Sequence, residues 1–157
     1  MAIIYRKGDV LEAFKNGEVD IVIHQTNCQG VMGSGIAKQI KAQYPEAYEA
    51  YMEQYHDQGD RLFLGDVSGA NIYRGVFKFG TILNVNGQDK YANRSICNTN
   101  YASLAKGLLA CREWFEKADK VAMPKIGAGL GGGDWNVIEA IINSAFNDRD
   151  VYVYTLD

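Results

Sequence analysis

Apolar residues in this chain follow two rhythms. Short, nearly continuous β-branched runs alternate with longer stretches in which apolar residues recur every three or four positions. "VDIVIHQTN" at 19–27 is the plainest run, and such continuity predicts a strand covered on both faces. "AIIY" at 2–5, "FGTILNVNG" at 79–87, "KVAMPKIG" at 120–127 and "DVYVYTL" at 150–156 read the same way. "LFLGDV" at 62–67 and "NIYRG" at 71–75 read as strands or hairpin pieces.

The other rhythm predicts helices. "VLEAF" at 10–14 makes a turn or two, and Ile36 and Ile40 pair at i, i+4 within 33–44. Pro45 suits the first turn of a helix over 45–59. There Tyr44, Tyr48, Tyr51 and Tyr55 form a stripe, either a stacking platform or an amphipathic face packed on a sheet. Asn100 is a good N-cap for 101–118, where Leu104, Leu108, Cys111 and Phe115 share a face. Trp135, Ile138, Ile141, Ile142, Ala145 and Phe146 mark the last helix, and "NRSICNTN" at 93–100 reads as a loop. Strands alternating with helices place the chain in the α/β class, with a mostly parallel sheet covered on both faces. Ligands of such sheets bind beyond the carboxyl ends of the strands.

Two glycine-rich loops fall at that edge, each after a strand and before a helix: "NCQGVMGSGIA" at 27–37 and "KIGAGLGGGDW" at 125–135. Such loops expose backbone N–H groups and aim a helix N-terminus at one point, which attracts anions. Two of them can grip one diphosphate from both sides. Gly127, Gly129 and Gly132 fit G-x-G-x-x-G, but only 25 residues follow, too few for the rest of a dinucleotide-binding unit. No G-x-x-x-x-G-K-[ST] motif occurs.

Composition narrows the picture. A length of 157 residues suits one domain, and 47% hydrophobic residues with two prolines describe a globular chain. A net charge of −3 argues against a broad basic nucleic-acid surface. It leaves room for a small anion held by backbone amides. Cys28, Cys97 and Cys111 are odd in number and widely spaced, and His24 and His56 are far apart. Neither a zinc site nor a disulfide framework is expected, and no cofactor. No apolar run approaches the roughly 20 residues of a membrane span. The amino-terminal apolar part is too short for a secretion signal, so a cytoplasmic location without membrane association is expected.

"VDIVIHQTNCQGVMGSGIAKQI", "MPKIGAGLGGGDW" and the ending "VYVYTL", with "KGDV" near the start, together resemble a macro domain. Within that family the chain is similar to the branch of ADP-ribose 1″-phosphate phosphatases and terminal ADP-ribose glycohydrolases. The resemblance implies a single domain over 1–157 and a three-layer α/β/α sandwich with a mixed, mostly parallel central sheet. It implies ADP-ribose, ADP-ribose 1″-phosphate or ADP-ribosylated protein as partner. By position, Asp9 would accept from the adenine amino group, with Val10 contributing backbone, and Asn27 would contact the distal ribose. Gly33, Ser34, Gly35 and Ile36 would line the diphosphate from one side. Gly127, Ala128, Gly129, Leu130 and Gly131 would line it from the other, with Tyr154 beside the adenine.

The reaction the resemblance implies is metal-independent hydrolysis of ADP-ribose 1″-phosphate, with His24 and Asp134 as catalytic residues. Removal of ADP-ribose from proteins and non-catalytic reading of ADP-ribose are the alternatives, since a fold does not settle a reaction. Structural readings stand beside the functional ones: Asp9 and Asp134 as helix N-caps, His24 and Tyr154 as core residues, Cys28 as a small buried side chain. The lysine-dependent glycohydrolases carry a nucleophilic lysine where this chain has Asn86, Gly87 and Gln88, with Lys90 slightly beyond, and that departure argues against a covalent lysine mechanism.

Overall fold

The most continuous apolar run of the sequence becomes the centre of the sheet. In the computed structural model, which describes residues 3–90, 97–129 and 131–156, β2 (Ile21–Asn27) carries Ile21, Val22 and Ile23, all buried. It lies between β4 (Phe77–Gln88) and β5 (Val121–Pro124). β6 (Val151–Thr155) and β1 (Ile3–Lys7) extend one side, and β3 (Val67–Arg74) closes the other, giving the order β1-β6-β5-β2-β4-β3. Every pairing is parallel except the β3–β4 hairpin.

Alternation along the strands divides the core into two layers. Ile21, Ile23, Leu83, Val85 and Met123 face α4 (Tyr101–Cys111) and α5 (Trp135–Ala145). Val22, Ile82 and Ala122 face α1 (Val10–Lys15), α2 (Gly35–Gln43) and α3 (Pro45–Asp57). The result is a three-layer α/β/α sandwich with a mixed, mostly parallel sheet. α2 and α3 part at Tyr44, whose φ of −133° and ψ of 69° lie outside the helical region. A residue before proline is pushed out of that region by the ring. The tyrosine stripe packs inward: Tyr51 is fully buried, and Tyr44 meets Phe14 edge-on at 5.3 Å.

Two predicted elements are shorter than their patterns. Residues 62–66 are irregular, with a turn at 64–65, instead of strand: Gly65 takes a left-handed φ of +89° and donates its N–H to the Asn86 carbonyl. α4 ends at Cys111, followed by a 3₁₀ turn at Arg112–Trp114, and Phe115 is extended. Phe115 still reaches the core, 5.5 Å from the Phe146 ring and under the Arg149 guanidinium. Of the predicted loop at 93–100, residues 93–96 lie outside the described residues. Thr99 makes an isolated bridge with Gln88.

Candidate functional site

A cleft of about 740 Å³ opens at the carboxyl ends of β2, β4 and β5. Its first wall runs from Asn27 through Val31, Gly33 and Ser34 into the first turn of α2. Asn27 folds this wall: Oδ1 accepts from the Gln29 N–H at 2.9 Å, and Nδ2 donates to the Val31 carbonyl at 2.8 Å. From the core, the Tyr51 hydroxyl donates to the Asn27 carbonyl at 2.5 Å. Gly35 then opens α2 with a φ of +59°, which a residue with a Cβ adopts only under strain. Ser34 stands at the N-cap without a side-chain cap bond, so the first-turn amides of α2 remain available to the cleft.

The second wall holds Gly127, Gly129 and Gly131, whose N–H groups make no hydrogen bond among the described residues. Close packing behind the wall requires glycine. A Cβ on Gly131 would sit 2.5 Å from Thr99 Oγ1 and 2.7 Å from the Gly127 carbonyl oxygen. That shortage of room, together with positive φ at Gly127 and Gly132, accounts for so much glycine after β5.

Gln25 and Gln88 line the floor of the cleft beside the second wall; Gln25 Nε2 donates to Gln88 Oε1 at 2.8 Å and to Thr99 Oγ1, behind the wall, at 2.9 Å. Thr99 Oγ1 donates in turn to the Gly127 carbonyl at 2.7 Å, and Gln88 Nε2 donates to the Lys90 carbonyl at 2.7 Å. Sequence reasoning did not single out Gln25, Gln88 and Thr99. Their one signal was a run of polar residues closing an otherwise apolar strand, "HQTN" on β2. Lys125 and Pro124 also border the cleft, and the Lys125 ammonium lies 5.7 Å from the centre of the Trp135 ring.

Asn27, Gly33, Ser34, Gly35, Ile36, Gly127, Gly129 and Gly131 come together around this cleft as expected from their loops. Leu130 lies outside the described residues. Ala128 does not line the cleft and packs against the α4/α5 side of the core. Asp9, Val10 and Tyr154 do not line it either, although β1 and β6 end at the same sheet edge. Asp9 caps α1 by accepting from the Leu11 N–H at 2.9 Å, and Val10 is buried. Tyr154 pairs in register with the cleft residue Pro124 and packs at the margin of the α1–α3 layer.

Neither His24 nor Asp134, the two residues expected to be catalytic, lines the cleft. His24 points away from the cleft into the layer beneath α3, fully buried, with Nε2 2.5 Å from Asn84 Oδ1. Burial pushes its imidazole down to about 4, partly opposed by the Asn84 contact, so the ring is neutral near pH 7. Asp134 is exposed at the N-cap of α5, where Oδ1 accepts from the Asn136 N–H at 2.9 Å. Its own N–H donates to the Tyr101 hydroxyl. Asp134→Ala is therefore expected to cost about 1 kcal/mol of stability in urea unfolding, the usual worth of an N-cap, while leaving ligand affinity unchanged. Cys28 is half-buried and its thiol is pushed up to about 11, chiefly by burial, which leaves little thiolate for nucleophilic work. Lys90 is exposed, and its backbone carbonyl accepts from Gln88 Nε2.

Among the described residues no cluster of histidine, cysteine or carboxylate side chains has the makings of a metal site, and no helix is long and apolar enough to cross a membrane. What the cleft offers is two opposed sets of backbone amides, a few neutral polar side chains and one lysine.

Comparison with known proteins agrees with that inventory. The DNA ADP-ribosyl glycohydrolase of Mycobacterium tuberculosis is 31% identical over 159 residues, covering 97% of this chain. The chain spans only 42% of that relative's length. The ADP-ribose 1″-phosphate phosphatase of Saccharomyces cerevisiae is 26% identical over 182 residues, covering 98% of both proteins. The solved macrodomain of Mycobacterium tuberculosis DarG superposes with a TM-score of 0.74 at 29% identity, covering 97% of this chain and 96% of that one. The macro domain family model matches residues 23–142, a stretch that contains both walls of the cleft, and the chain belongs to the macro domain family.

Proposed function

We propose that this chain binds ADP-ribose in the cleft between its glycine loops and hydrolyses ADP-ribose 1″-phosphate to ADP-ribose and phosphate. One observation carries the reading: the uncapped first turn of α2 faces the amides of Gly127, Gly129 and Gly131, unpaired among the described residues, across the cleft. Convergent N–H groups and a helix dipole suit a pyrophosphate, and glycine lets its oxygens approach the backbone closely. In a chain of net charge −3, with Lys125 the one charged residue among the described cleft lining, these dipoles supply most of the attraction. The phosphatase reading draws support from the yeast relative, which is co-extensive with this chain.

In that reaction water adds to phosphorus and the bond from phosphorus to the ribose oxygen breaks. Fixed amides stabilise the charge that develops on the phosphoryl oxygens, and they do so without reorganising. Lys125 adds a positive charge at the cleft border. A second reading, a non-catalytic ADP-ribose reader, is favoured by one fact: no carboxylate and no imidazole lines the cleft among the described residues.

Calorimetry with ADP-ribose and a phosphate-release assay on ADP-ribose 1″-phosphate separate the two. Saturable heat and steady phosphate release are expected. Saturable heat without turnover of either ADP-ribose 1″-phosphate or ADP-ribosylated protein favours the reader, and a folded sample that gives no heat at millimolar ADP-ribose excludes both.

A further inference from the structure

The second glycine wall does not hold its shape by itself. The Gly131 carbonyl accepts from the N–H groups of Asn98 and Thr99, at 2.8 and 3.0 Å. The Gly127 carbonyl accepts from the Gly133 N–H at 2.8 Å and from Thr99 Oγ1 at 2.7 Å. The Gly127 and Gly131 carbonyls are thus held on the inner side of the loop. The Gly129 and Gly131 amides, unpaired among the described residues, are left at the cleft face.

Thr99 is itself oriented by Gln25. A hydroxyl has one hydrogen, and here the Gln25 amide donates to Oγ1, so the Thr99 hydrogen is directed to the wall, to the Gly127 carbonyl at 2.7 Å in preference to the Gly131 carbonyl at 3.3 Å. Gln25 is fixed by its second hydrogen bond, to Gln88 across the β2–β4 pairing. Its carbonyl oxygen Oε1 is buried without a partner. A Cβ on Gly87 would fall 2.2 Å from Oε1 and one on Gly127 3.2 Å, so the carboxamide fills a slot that only glycine neighbours allow. An unsatisfied buried acceptor is costly, and a core built for stability alone would place an apolar side chain there. The carboxamide is retained where its two N–H groups do something a hydrocarbon does not.

We propose that Gln25 and Thr99 are positioning residues for the diphosphate: together they hold Gly127 and Gly131 in the conformation that presents their amides to the ligand. This rests on the ADP-ribose reading of the cleft. Gln88 anchors the pair; Gln25 and Gln88 both line the cleft, whereas Thr99 does not and acts on the ligand through the wall alone.

The test is ADP-ribose calorimetry on wild type, Thr99→Val, Gln25→Met, the double variant and Thr99→Ser, with amide NMR of Gly127, Gly129 and Gly131 in the same proteins without ligand. Thr99→Val and Gln25→Met are each expected to weaken ADP-ribose about tenfold, the size of one buried hydrogen bond. The double variant is expected to lose no more than either alone, because both break one chain of bonds. Thr99→Ser keeps the hydroxyl and restores affinity. The glycine amide resonances move in the two weakened variants and return in Thr99→Ser. Full affinity in the single variants, or additive losses with unmoved glycine resonances, overturns the proposal. Wild-type protein that ignores ADP-ribose overturns the reading of the cleft instead. The free-protein resonances still judge the brace in that case, and resonances unchanged by Thr99→Val refute it.

Discussion

Replacing Ser34 with aspartate is expected to stabilise the fold and destroy most ADP-ribose binding in the same molecule. Ser34 occupies the N-cap of α2 in extended conformation, yet its hydroxyl makes no cap bond. Aspartate is among the best N-caps, and its carboxylate interacts favourably with the helix dipole. A gain of about 0.5–1 kcal/mol in urea unfolding is expected. The same carboxylate would occupy the place of a diphosphate oxygen and repel the rest of the anion. A like charge about 4 Å away is worth several kcal/mol at the effective dielectric of a protein surface, so affinity should fall about 100-fold or more. Ser34→Ala, which adds no charge, serves as control. If Ser34→Asp binds ADP-ribose as well as wild type does, the anion does not sit on α2, and the proposed arrangement of the ligand fails.

Mild acid should weaken this protein through His24. His24 is fully buried, Nε2 meets Asn84, and Nδ1 has no partner. Burial holds its folded-state value near 4, whereas an unfolded histidine titrates near 6.5. As pH falls below about 6.5 the unfolded chain takes up a proton that the folded chain refuses, so stability declines until the folded value is reached. The stability is present above the unfolded value and lost on the way down to about 4. The total is on the order of 3 kcal/mol. His24→Gln removes the titration. Urea unfolding at pH 7 and pH 4.5 should show wild type losing roughly 2–3 kcal/mol more than the variant between the two conditions. Equal losses would mean that the imidazole is not held neutral in the core.

These two residues also show how far the sequence could be read. Its loops were legible because glycine at a strand-to-helix junction has few other uses, and the caps at Asp9, Asn100 and Asp134 were legible because local chemistry decides them. The parity of β2 was not. His24 and Gln25 are adjacent and both polar, and pleating sends one under α3 and the other toward Thr99 behind the glycine wall. Which goes where depends on how β2 packs against helices distant in sequence, and nothing within "IHQTN" states it. The brace was hidden for a related reason, since Gln25, Gln88 and Thr99 meet only through sheet pairing and the return of the chain to Gly131. α4 likewise stops within "ACREWFEKA", which contains neither proline nor glycine, and tertiary contacts of Phe115 accompany the break.

The two walls of the cleft follow β2 and β5, which are neighbours in the sheet although far apart along the chain. Contacts of such high sequence separation form late and cost loop-closure entropy before they return anything. The pocket is therefore a property of the completed topology, and neither half of the chain carries a partial version of it. Ligand occupancy and global folding become a single linked equilibrium: a saturating ligand at a hundred times its dissociation constant would add about 2.7 kcal/mol to the native state. A melting temperature that climbs with ligand concentration would then report the joining of β2 to β5 as directly as it reports affinity.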